Sequence, residues 1–265
     1  MGIGISIGTR APGIGALGKI NRQLNNSFEK LASGSRIPRA SADAAGLAIS
    51  ETLKALTASL HQGVRNLNDG ISVTRIAEGA LQEDSNVLIR LRELSVQSQN
   101  GTLNDDQRQI IQQEFDQLTD QLTDVSASTS FNDQSLLDGS AELEIVDGSS
   151  GQATSITVGD QSASALGVEG LDASDPATLA AIDQAIQSVS SSRARLGATE
   201  NRLESQIRSR SVEIENTVRA NSQIRDTDFA KETSELLRNQ ILKKVNLSLR
   251  AQANTGASVA LRLLA

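Results

Sequence analysis

The residue types that usually carry catalysis are scarce in this sequence. His61 is the only histidine and the 265 residues include no cysteine, so a histidine-based triad, a thiolate nucleophile and a histidine-rich metal site have almost nothing to build on. The carboxylates are scattered along predicted helices, and no strand leads into a glycine-rich phosphate loop. On a predicted helix between Leu60 and Val64, His61 is expected to be a partly exposed surface side chain. The sequence therefore argues against an enzyme, and we expect no cofactor and no metal.

Composition favours packed helices over thick sheets or barrels. Aromatic residues make up 2% of the chain, with four Phe and neither Trp nor Tyr, and apolar residues in all reach 38%. Such a chain has few large side chains for a thick core, but Ala, Leu, Ile and Val suit close helix–helix seams. No apolar run approaches the ~20 residues that span a bilayer, and the first residues lack the pattern of a cleavable signal. We therefore expect no membrane insertion, and any export must use another route.

Charge is divided unevenly along the chain, whose formal net charge is −7. Residues 1–45 carry +4 and residues 226–265 carry +2, which leaves −13 on the centre. An acidic centre between mildly basic ends disfavours nucleic acid as the main partner. Acidic exposed helix faces in the centre would also help solubility.

Heptad-like apolar spacing predicts long helices in both halves of the chain. The first helix has one apolar face, which consists of Ile20, Leu24, Phe28 and Leu31. A much longer helix, which Ser41 can cap, is predicted to run to about Ser98, and Gly63, Gly70 and Gly79 lie inside it. Either a neighbouring helix approaches closely at these glycines, or the helix breaks near Asp69-Gly70.

The remaining elements continue the helical pattern, with one exception. Asn104-Asp105-Asp106 predicts the start of a helix over about 104–126, and Asp175-Pro176 the start of another over about 176–220. Alternating residues around a polar loop predict a small β-hairpin near 142–158. A last helix carries an apolar row that continues into an apolar tail: Leu237, Ile241, Val245, Leu249, Leu261, Leu263 and Leu264. The predicted fold is mainly α, a long helical coiled-coil and bundle rod built from both chain ends, with a small β-hairpin in the middle.

Several segments resemble bacterial flagellin. In the first half they are LASGSRI at 31–37, DAAGLAI at 43–49, NLNDGIS at 66–72, AEGAL at 77–81 and LRELSVQ at 91–97. At the other end they are IRDTDFA at 224–230, QIL at 240–242 and AQAN at 251–254. Together the matched regions cover most of the chain outside 132–175. The departure is the opening, 1–18, which is Gly-rich and lacks the usual Asn- and Ser-containing start of the family.

The resemblance implies a structural subunit that polymerises into the helical, extracellular flagellar filament used for swimming. It implies an inner coiled-coil core domain, in which 1–45 pairs with 226–265 through the terminal apolar rows named above. It also implies an outer-core bundle over 46–225, with the hairpin at about 140–160 and no variable outer domain. The chain would be exported unfolded through the flagellum's own secretion channel. Its partners would be other copies of itself, the export apparatus, a flagellin chaperone, and the filament cap and hook-junction proteins.

One helix patch is similar to the stretch by which many flagellins are sensed by the vertebrate Toll-like receptor. The patch consists of Arg90, Leu91, Arg92, Glu93, Leu94, Ser95, Val96 and, on the next helix, Glu114. Arg90 and Leu94 are i,i+4 neighbours on one helix face, so we expect a partner to grip both. We expect the same face to be a subunit contact in the filament.

Two other readings lead to different expectations. The hook–filament junction protein has similar ends, but it would not polymerise alone. A free-standing helical signalling or binding module would have folded, protease-resistant termini as a monomer. A filament subunit would instead have protease-sensitive ends until assembly covers its apolar seams. The motif density over 66–101 and the segment at 252–254 favour flagellin.

Overall fold

The computed structural model describes residues 13–148 and 153–264, so most of the unusual Gly-rich opening lies outside the described residues. The elements in chain order are α1 (Gly13–Ser33), α2 (Ala44–Ser98), α3 (Asp105–Ser128), β1 (Ser130–Phe131), β2 (Gln134–Ser135), β3 (Glu142–Val146), β4 (Ala153–Thr157), α4 (Pro176–Arg225) and α5 (Phe229–Leu264). Long helices carry most of the chain, and β3 and β4 form an antiparallel hairpin in its middle. The prediction of a mainly α fold with a small central hairpin is confirmed, and β1 and β2 form a second, shorter antiparallel pair that was not predicted.

The chain divides into two compact units. The terminal unit comprises Met1–Ala55 and Thr217–Ala265, and the central unit comprises Leu56–Asn216. The divisions therefore fall inside α2 and α4, about ten residues from the predicted boundaries at 45 and 225. Both helices run without interruption across the boundary between the units. The helical periodicity of the sequence therefore does not mark where one unit ends and the other begins.

The core of the central unit is a three-helix seam between α2, α3 and α4. Its leucine-rich helix positions recur at three- and four-residue steps, as heptad spacing requires. The fully buried large side chains of the three helices include Leu67, Leu81, Leu88, Leu91, Phe115, Leu122, Ile182 and Leu203. Ion pairs at the rim join α2 to its neighbours, with Arg75 at 2.8 Å from Glu200 on α4. Such exposed pairs each add at most about 1 kcal/mol, so apolar packing holds this unit together.

The start of α3 is fixed by its own residues, as the sequence predicts. The side chain of Asn104 accepts a hydrogen bond from the backbone N–H of Gln107, and the Gln107 side chain accepts one from the backbone N–H of Asn104. This capping box satisfies two backbone donors that the helix itself leaves unpaired. Asp105 and Asp106 in the first turn add favourable interactions with the helix dipole.

The close neighbour of Gly63 is the end of the β-hairpin, so the expectation of a neighbouring helix is wrong at that position. At Gly70 both the hairpin and helix α4 approach, the latter through Leu203 at 3.4 Å from a Cβ placed there. A Cβ atom on Gly63 would overlap the backbone carbonyl of Asp147, just after β3, and one on Gly70 would lie 3.1 Å from the Ile145 side chain. A Cβ on Gly79, by contrast, would meet nothing within 4 Å. The alternative of a break near Asp69-Gly70 is also wrong, because α2 is continuous.

Polar contacts hold the end of β3 against α2 and α4. The carboxylate of Asp147 is almost fully buried and lies 2.6 Å from the guanidinium of Arg210 on α4. The hydroxyl of Ser59 donates to the carbonyl of Gly148, and the amide of Asn66 donates to the carbonyl of Val146. Gly148 has a φ of +78°, which favours glycine at this turn. The hairpin is therefore part of the central unit's packed structure.

One carboxylate lies in the helical seam without compensation. Asp84 of α2 is fully buried, and neither of its oxygens accepts a hydrogen bond within the described residues. Burial, with a smaller contribution from the charge of Glu83, raises the pKa of Asp84 to about 7. Since Asp84 lies three residues after Leu81 and four before Leu88, it occupies a seam position that an apolar residue would otherwise fill.

We expect Asp84→Asn to stabilise the chain, and most strongly at alkaline pH. The folded pKa lies above the unfolded value, so the contribution of Asp84 to stability is complete below about pH 4 and is lost as the pH rises through about 7. Asparagine has no charge to bury, so the gain in unfolding free energy should be about 1–2 kcal/mol near pH 8.5 and should shrink near pH 5. Thermal or urea unfolding at both pH values measures it. The exposed Asp120→Asn serves as control, and an equal gain at both pH values would contradict the assignment.

The terminal unit joins the two ends of the chain. The backbone N–H of Arg36 donates to the carbonyl of Arg225 at 2.6 Å, and the N–H of Thr227 donates to the carbonyl of Gly34 at 3.0 Å. Gly34 has a φ of +66°, so the turn that ends α1 relies on glycine at this position. These bonds set α1 beside α5, and an ion pair between Lys30 and Glu232 adds to the contact.

Candidate assembly surface

The contact between α1 and α5 uses a different face of α5 from the one the apolar spacing predicts. From α1, Ile20, Leu24 and Ser27 are buried and Leu31 is half-buried. From α5, the least exposed side chains recur at steps of four and three and are mostly polar: Glu232, Leu236, Asn239, Lys243 and Asn246. One helix covers only one face of α5, and α1 lies on the polar one.

The predicted apolar row of α5 is consequently exposed in the isolated chain. Leu237 is 54% exposed, Ile241 61%, Val245 45% and Leu249 59%, and Phe28 of α1 is 52% exposed. The expectation that the apolar row of α5 packs against α1 does not hold within one chain, because its four residues lie on the side of α5 that α1 leaves open. Phe28 lies on α1 itself and is only half covered by α5. The side chains of Leu261, Leu263 and Leu264 lie outside the part that the structure describes. We call Phe28, Leu237, Ile241, Val245 and Leu249 the terminal apolar surface.

A notch of about 290 Å³ between α1 and α5 adjoins the terminal apolar surface. It is lined by Leu24, Phe28, Gln240, Lys243, Lys244 and Leu247. Its floor is apolar, and the two lysines come from α5. Isolated apolar residues on a surface need no explanation, but a row of them along one long helix face is typical of an interaction site.

The Arg90 patch is only partly accessible. The guanidinium of Arg90 lies 2.7 Å from Glu114 on α3 and 3.1 Å from Glu93, and the hydrogen bond to Glu114 is the main reason that its pKa is raised. Arg92 is exposed and pairs with Asp183 on α4 at 2.8 Å, while Val96 is 52% exposed.

Three members of the patch belong to the core. Leu91 and Leu94 are fully buried, and the buried hydroxyl of Ser95 donates to the backbone carbonyl of Ala173 at 3.0 Å. The prediction that a partner grips Leu94 together with Arg90 is therefore wrong for the folded chain. Arg90 lies at the edge of the face of α2 that packs against α3 and α4. Leu91 and Leu94, within one helical turn of it, already lie inside that packed face. The accessible part of the patch consists of Arg90, Arg92, Glu93, Val96 and Glu114.

The described residues contain no cluster suited to a metal ion and no helix suited to a membrane. His61 is exposed, as predicted, and no cluster of three or more His, Cys, Asp or Glu side chains suited to a metal ion occurs among them. None of the described helices combines the length and apolarity needed to cross a membrane. Helical packing, paired chain ends and an open apolar helix face are the properties of a structural, assembling protein.

Comparison with known proteins identifies the family. Residues 15–142 match the bacterial flagellin N-terminal helical region, and residues 179–264 match the bacterial flagellin C-terminal helical region. The flagellin of Bacillus subtilis (strain 168) is 37% identical, covering 95% of this chain and 98% of that protein. The flagellar filament 30.7 kDa core protein of Treponema maltophilum is 37% identical over 94% of each chain. The crystal structure of Bacillus cereus flagellin aligns with a TM-score of 0.49 and 30% identity, covering 55% of this chain and 88% of that one.

The chain belongs to the bacterial flagellin family. It is a structural subunit of the extracellular flagellar filament. The comparisons give no support to the hook–filament junction alternative.

Proposed function

We propose that copies of this chain join in the filament by burying the terminal apolar surface against one another. The observation that carries the proposal is the exposure of the four α5 residues of this surface, on a helix whose other face already packs on α1. A second copy offers the same apolar row, so two or more copies cover each other's rows without any other partner. The surface is then the inner coiled-coil core of the filament, built from the two chain ends.

The energy available from this burial is large enough to drive assembly. Burying a Leu, Ile or Val side chain from water contributes about 1.5–3 kcal/mol, and half of that remains to be gained for a half-exposed side chain. Five such residues in each copy therefore contribute several kcal/mol to every subunit added. The contribution is absent from the monomer, whose ends we expect to be trimmed first by protease.

Seeded polymerisation of the purified chain tests the proposal. We expect long uniform filaments by negative-stain microscopy, and limited proteolysis of the monomer that removes the terminal unit before the central unit. A stable monomer with protected ends and no filaments would contradict it, and would favour a free-standing binding module.

Delivery and capping complete the proposed role. The chain passes unfolded through the flagellar export channel, is held before export by a flagellin chaperone, and is added beneath the filament cap above the hook-junction proteins. Exposed apolar helix faces such as that of α5 are surfaces that a chaperone must cover to keep the monomer from assembling early.

The accessible part of the Arg90 patch is proposed to serve both as a filament contact and as the site sensed by the vertebrate Toll-like receptor. We expect Arg90→Ala to weaken filament assembly and receptor signalling together, each roughly tenfold, because it removes a cation held in place by two carboxylates. Critical concentration and a receptor reporter assay measure the two effects. Arg208→Ala removes an exposed arginine on α4 that pairs with Glu204, and serves as control. Normal assembly and full signalling by the Arg90 variant would contradict the proposal.

A further inference from the structure

A cationic groove lies between α4 and β4 of the central unit. Its volume is about 450 Å³, and it is lined by Ser155, Thr157, Arg195, Ala198, Thr199 and Arg202. Arg195 and Arg202 are seven residues apart, so both lie on the same side of α4, roughly 10.5 Å from each other along the helix. Hydroxyl groups from both elements line the space around the two guanidinium groups.

The two arginines are among the four in this unit with which no carboxylate pairs among the described residues. The other two, Arg65 and Arg108, donate to Gln62 and to the Asn100 carbonyl and lie apart from this groove. Arg195 donates to the hydroxyl of Ser192 at 3.1 Å, and Arg202 donates to the backbone carbonyl of Ser155 at 3.5 Å. Glu144 is the register partner of Ser155 in the hairpin, yet it forms no ion pair with either arginine. Six other arginines of the unit each have a carboxylate within 4 Å: Arg75, Arg90, Arg92, Arg193, Arg208 and Arg210.

The overall charge of the unit makes these unpaired cations unusual. Residues 56–216 contain 10 arginines, no lysine and 25 acidic residues, a net charge of −15, whereas the rest of the chain carries 15 basic and 7 acidic residues. Copies of a unit with this charge repel one another when they are packed side by side. A place where one copy presents cations and its neighbour presents carboxylates would reduce that repulsion.

The outer face of α3 presents such carboxylates. Asp116, Asp120 and Asp124 recur once per turn and are all exposed. Asp120 and Asp124 have no hydrogen-bond or ion-pair partner among the described residues, and Asp116 only accepts a hydrogen bond from the Gln112 side chain. The three carboxylates extend over roughly 12 Å along the helix, which matches the separation of the two arginines.

We propose that the Arg195–Arg202 groove of one subunit receives the Asp116–Asp120–Asp124 row of a neighbouring subunit in the filament. The inference rests on the proposed function and adds to it a second, electrostatic contact in the central unit, distinct from the terminal apolar surface. The matched spacing of the charges sets the register between neighbours, while burial of the terminal apolar surface contributes most of the affinity.

Charge reversal in three variants tests the contact. The groove variant combines Arg195→Glu and Arg202→Glu, the row variant combines Asp116→Lys, Asp120→Lys and Asp124→Lys, and the third carries all five changes. The groove variant and the row variant each change one side of the contact. Each of these single-sided variants should raise the critical concentration for seeded polymerisation at least about tenfold, because like charges then meet at the contact. The variant with all five substitutions should polymerise at nearly the original critical concentration, because opposite charges meet again at the contact. A monomer that was merely destabilised would not be restored in this way. Circular dichroism checks that each monomer is folded.

Cross-linking locates the contact directly, since the chain has no cysteine of its own. Ala198→Cys places a thiol between the two arginines, and Gln117→Cys places one beside the acidic row. Wild-type-like filaments of the double variant, treated with a short bis-maleimide, should give a ladder of covalent oligomers, and neither single variant should do so.

The outcomes separate this contact from the proposed function. Filaments that form normally from both single-sided variants, or a double-cysteine filament without a ladder, would overturn the contact and leave the filament role intact. Weakening by the groove variant alone would also overturn it, because the groove would then bind a different anion. Failure of the unmodified chain to form filaments would instead overturn the proposed function.

Discussion

Replacing Leu237, Ile241 and Val245 together by serine is expected to raise the critical concentration for filament formation by roughly two orders of magnitude and to leave the monomer folded. The three side chains lie on α5 and are each about half exposed, so the isolated chain loses little packing when they are shortened. In the filament they would be buried against neighbouring copies. Burial of a half-exposed aliphatic side chain contributes about 1 kcal/mol, so three substitutions reduce each subunit's association constant by roughly two orders of magnitude.

A matched control keeps the same positions apolar. Leu237→Met, Ile241→Leu and Val245→Ile change shape but preserve apolar area, so this triple variant should polymerise nearly as well as the original chain. Sedimentation of polymer at increasing subunit concentration measures all three proteins, and thermal unfolding of the monomers confirms that they fold alike. Undiminished polymerisation of the serine variant would show that the terminal apolar surface does not join subunits in the filament.

The second large effect is expected at Gly63, where α2 meets the end of the hairpin. Gly63→Ala should lower the unfolding free energy of the chain by about 2–3 kcal/mol, because the added methyl group overlaps the backbone of Asp147 and Gly148. Backbone atoms fixed by the Asp147–Arg210 ion pair cannot move aside as a flexible side chain would. The expected result is a hairpin displaced from α2 and faster amide exchange over β3 and β4.

Gly79→Ala is the matched control for this effect. Gly79 lies in the same helix, but a methyl group there meets nothing within 4 Å. The substitution should therefore stabilise α2 by about 1 kcal/mol, as expected from helix propensity alone. Urea unfolding of the two variants measures effects of opposite sign. A stabilising Gly63→Ala would mean that the hairpin does not lie against α2 at this position.

Periodicity in the sequence predicted the helices well, because it reports which face of a helix is apolar. Steps of four and three residues along α3 predict a seam of Ile111, Phe115, Leu118, Leu122 and Val125. Three of these residues are buried, whereas Leu118 and Val125 are half-buried, and the start predicted at Asn104 is the observed N-cap. Spacing alone does not say what covers an apolar face. This is why the row on α5 could be predicted while its placement against α1 could not.

Boundaries of burial were harder to predict than the faces themselves. An i,i+4 spacing places Arg90 and Leu94 on one side of α2. The edge of the core nevertheless runs between them, so Arg90 is exposed and Leu94 is buried. At Gly63, the lack of a side chain indicates a close neighbour without indicating which, because the neighbour lies more than eighty residues away in the chain. Asp84 could have been found from its position in the α2 seam, although its residue type suggested a solvated face.

Some features could be found only from the structure. The sequence contains many arginines on acidic helices, and nothing in their spacing distinguishes Arg195 and Arg202 from those with carboxylate partners. Their difference arises from which residues α2, β4 and α4 bring within reach. Which arginines of a packed helical unit remain without a carboxylate partner thus depends on ion pairs between residues that are distant in the sequence.

The most direct test of whether neighbouring copies bury the terminal apolar surface compares the reactivity of one thiol in the monomer and in the filament. Ile241→Cys places a single cysteine in the terminal apolar surface of a chain that has none. The rate of its reaction with a maleimide is then compared between monomer and filament, with Ser234→Cys, an exposed polar position on α5, measured in parallel. We predict rapid modification at residue 241 in the monomer and at least about a hundredfold slower modification in the filament. Equal reactivity in monomer and filament would show that neighbouring copies do not cover this surface, and would contradict the account.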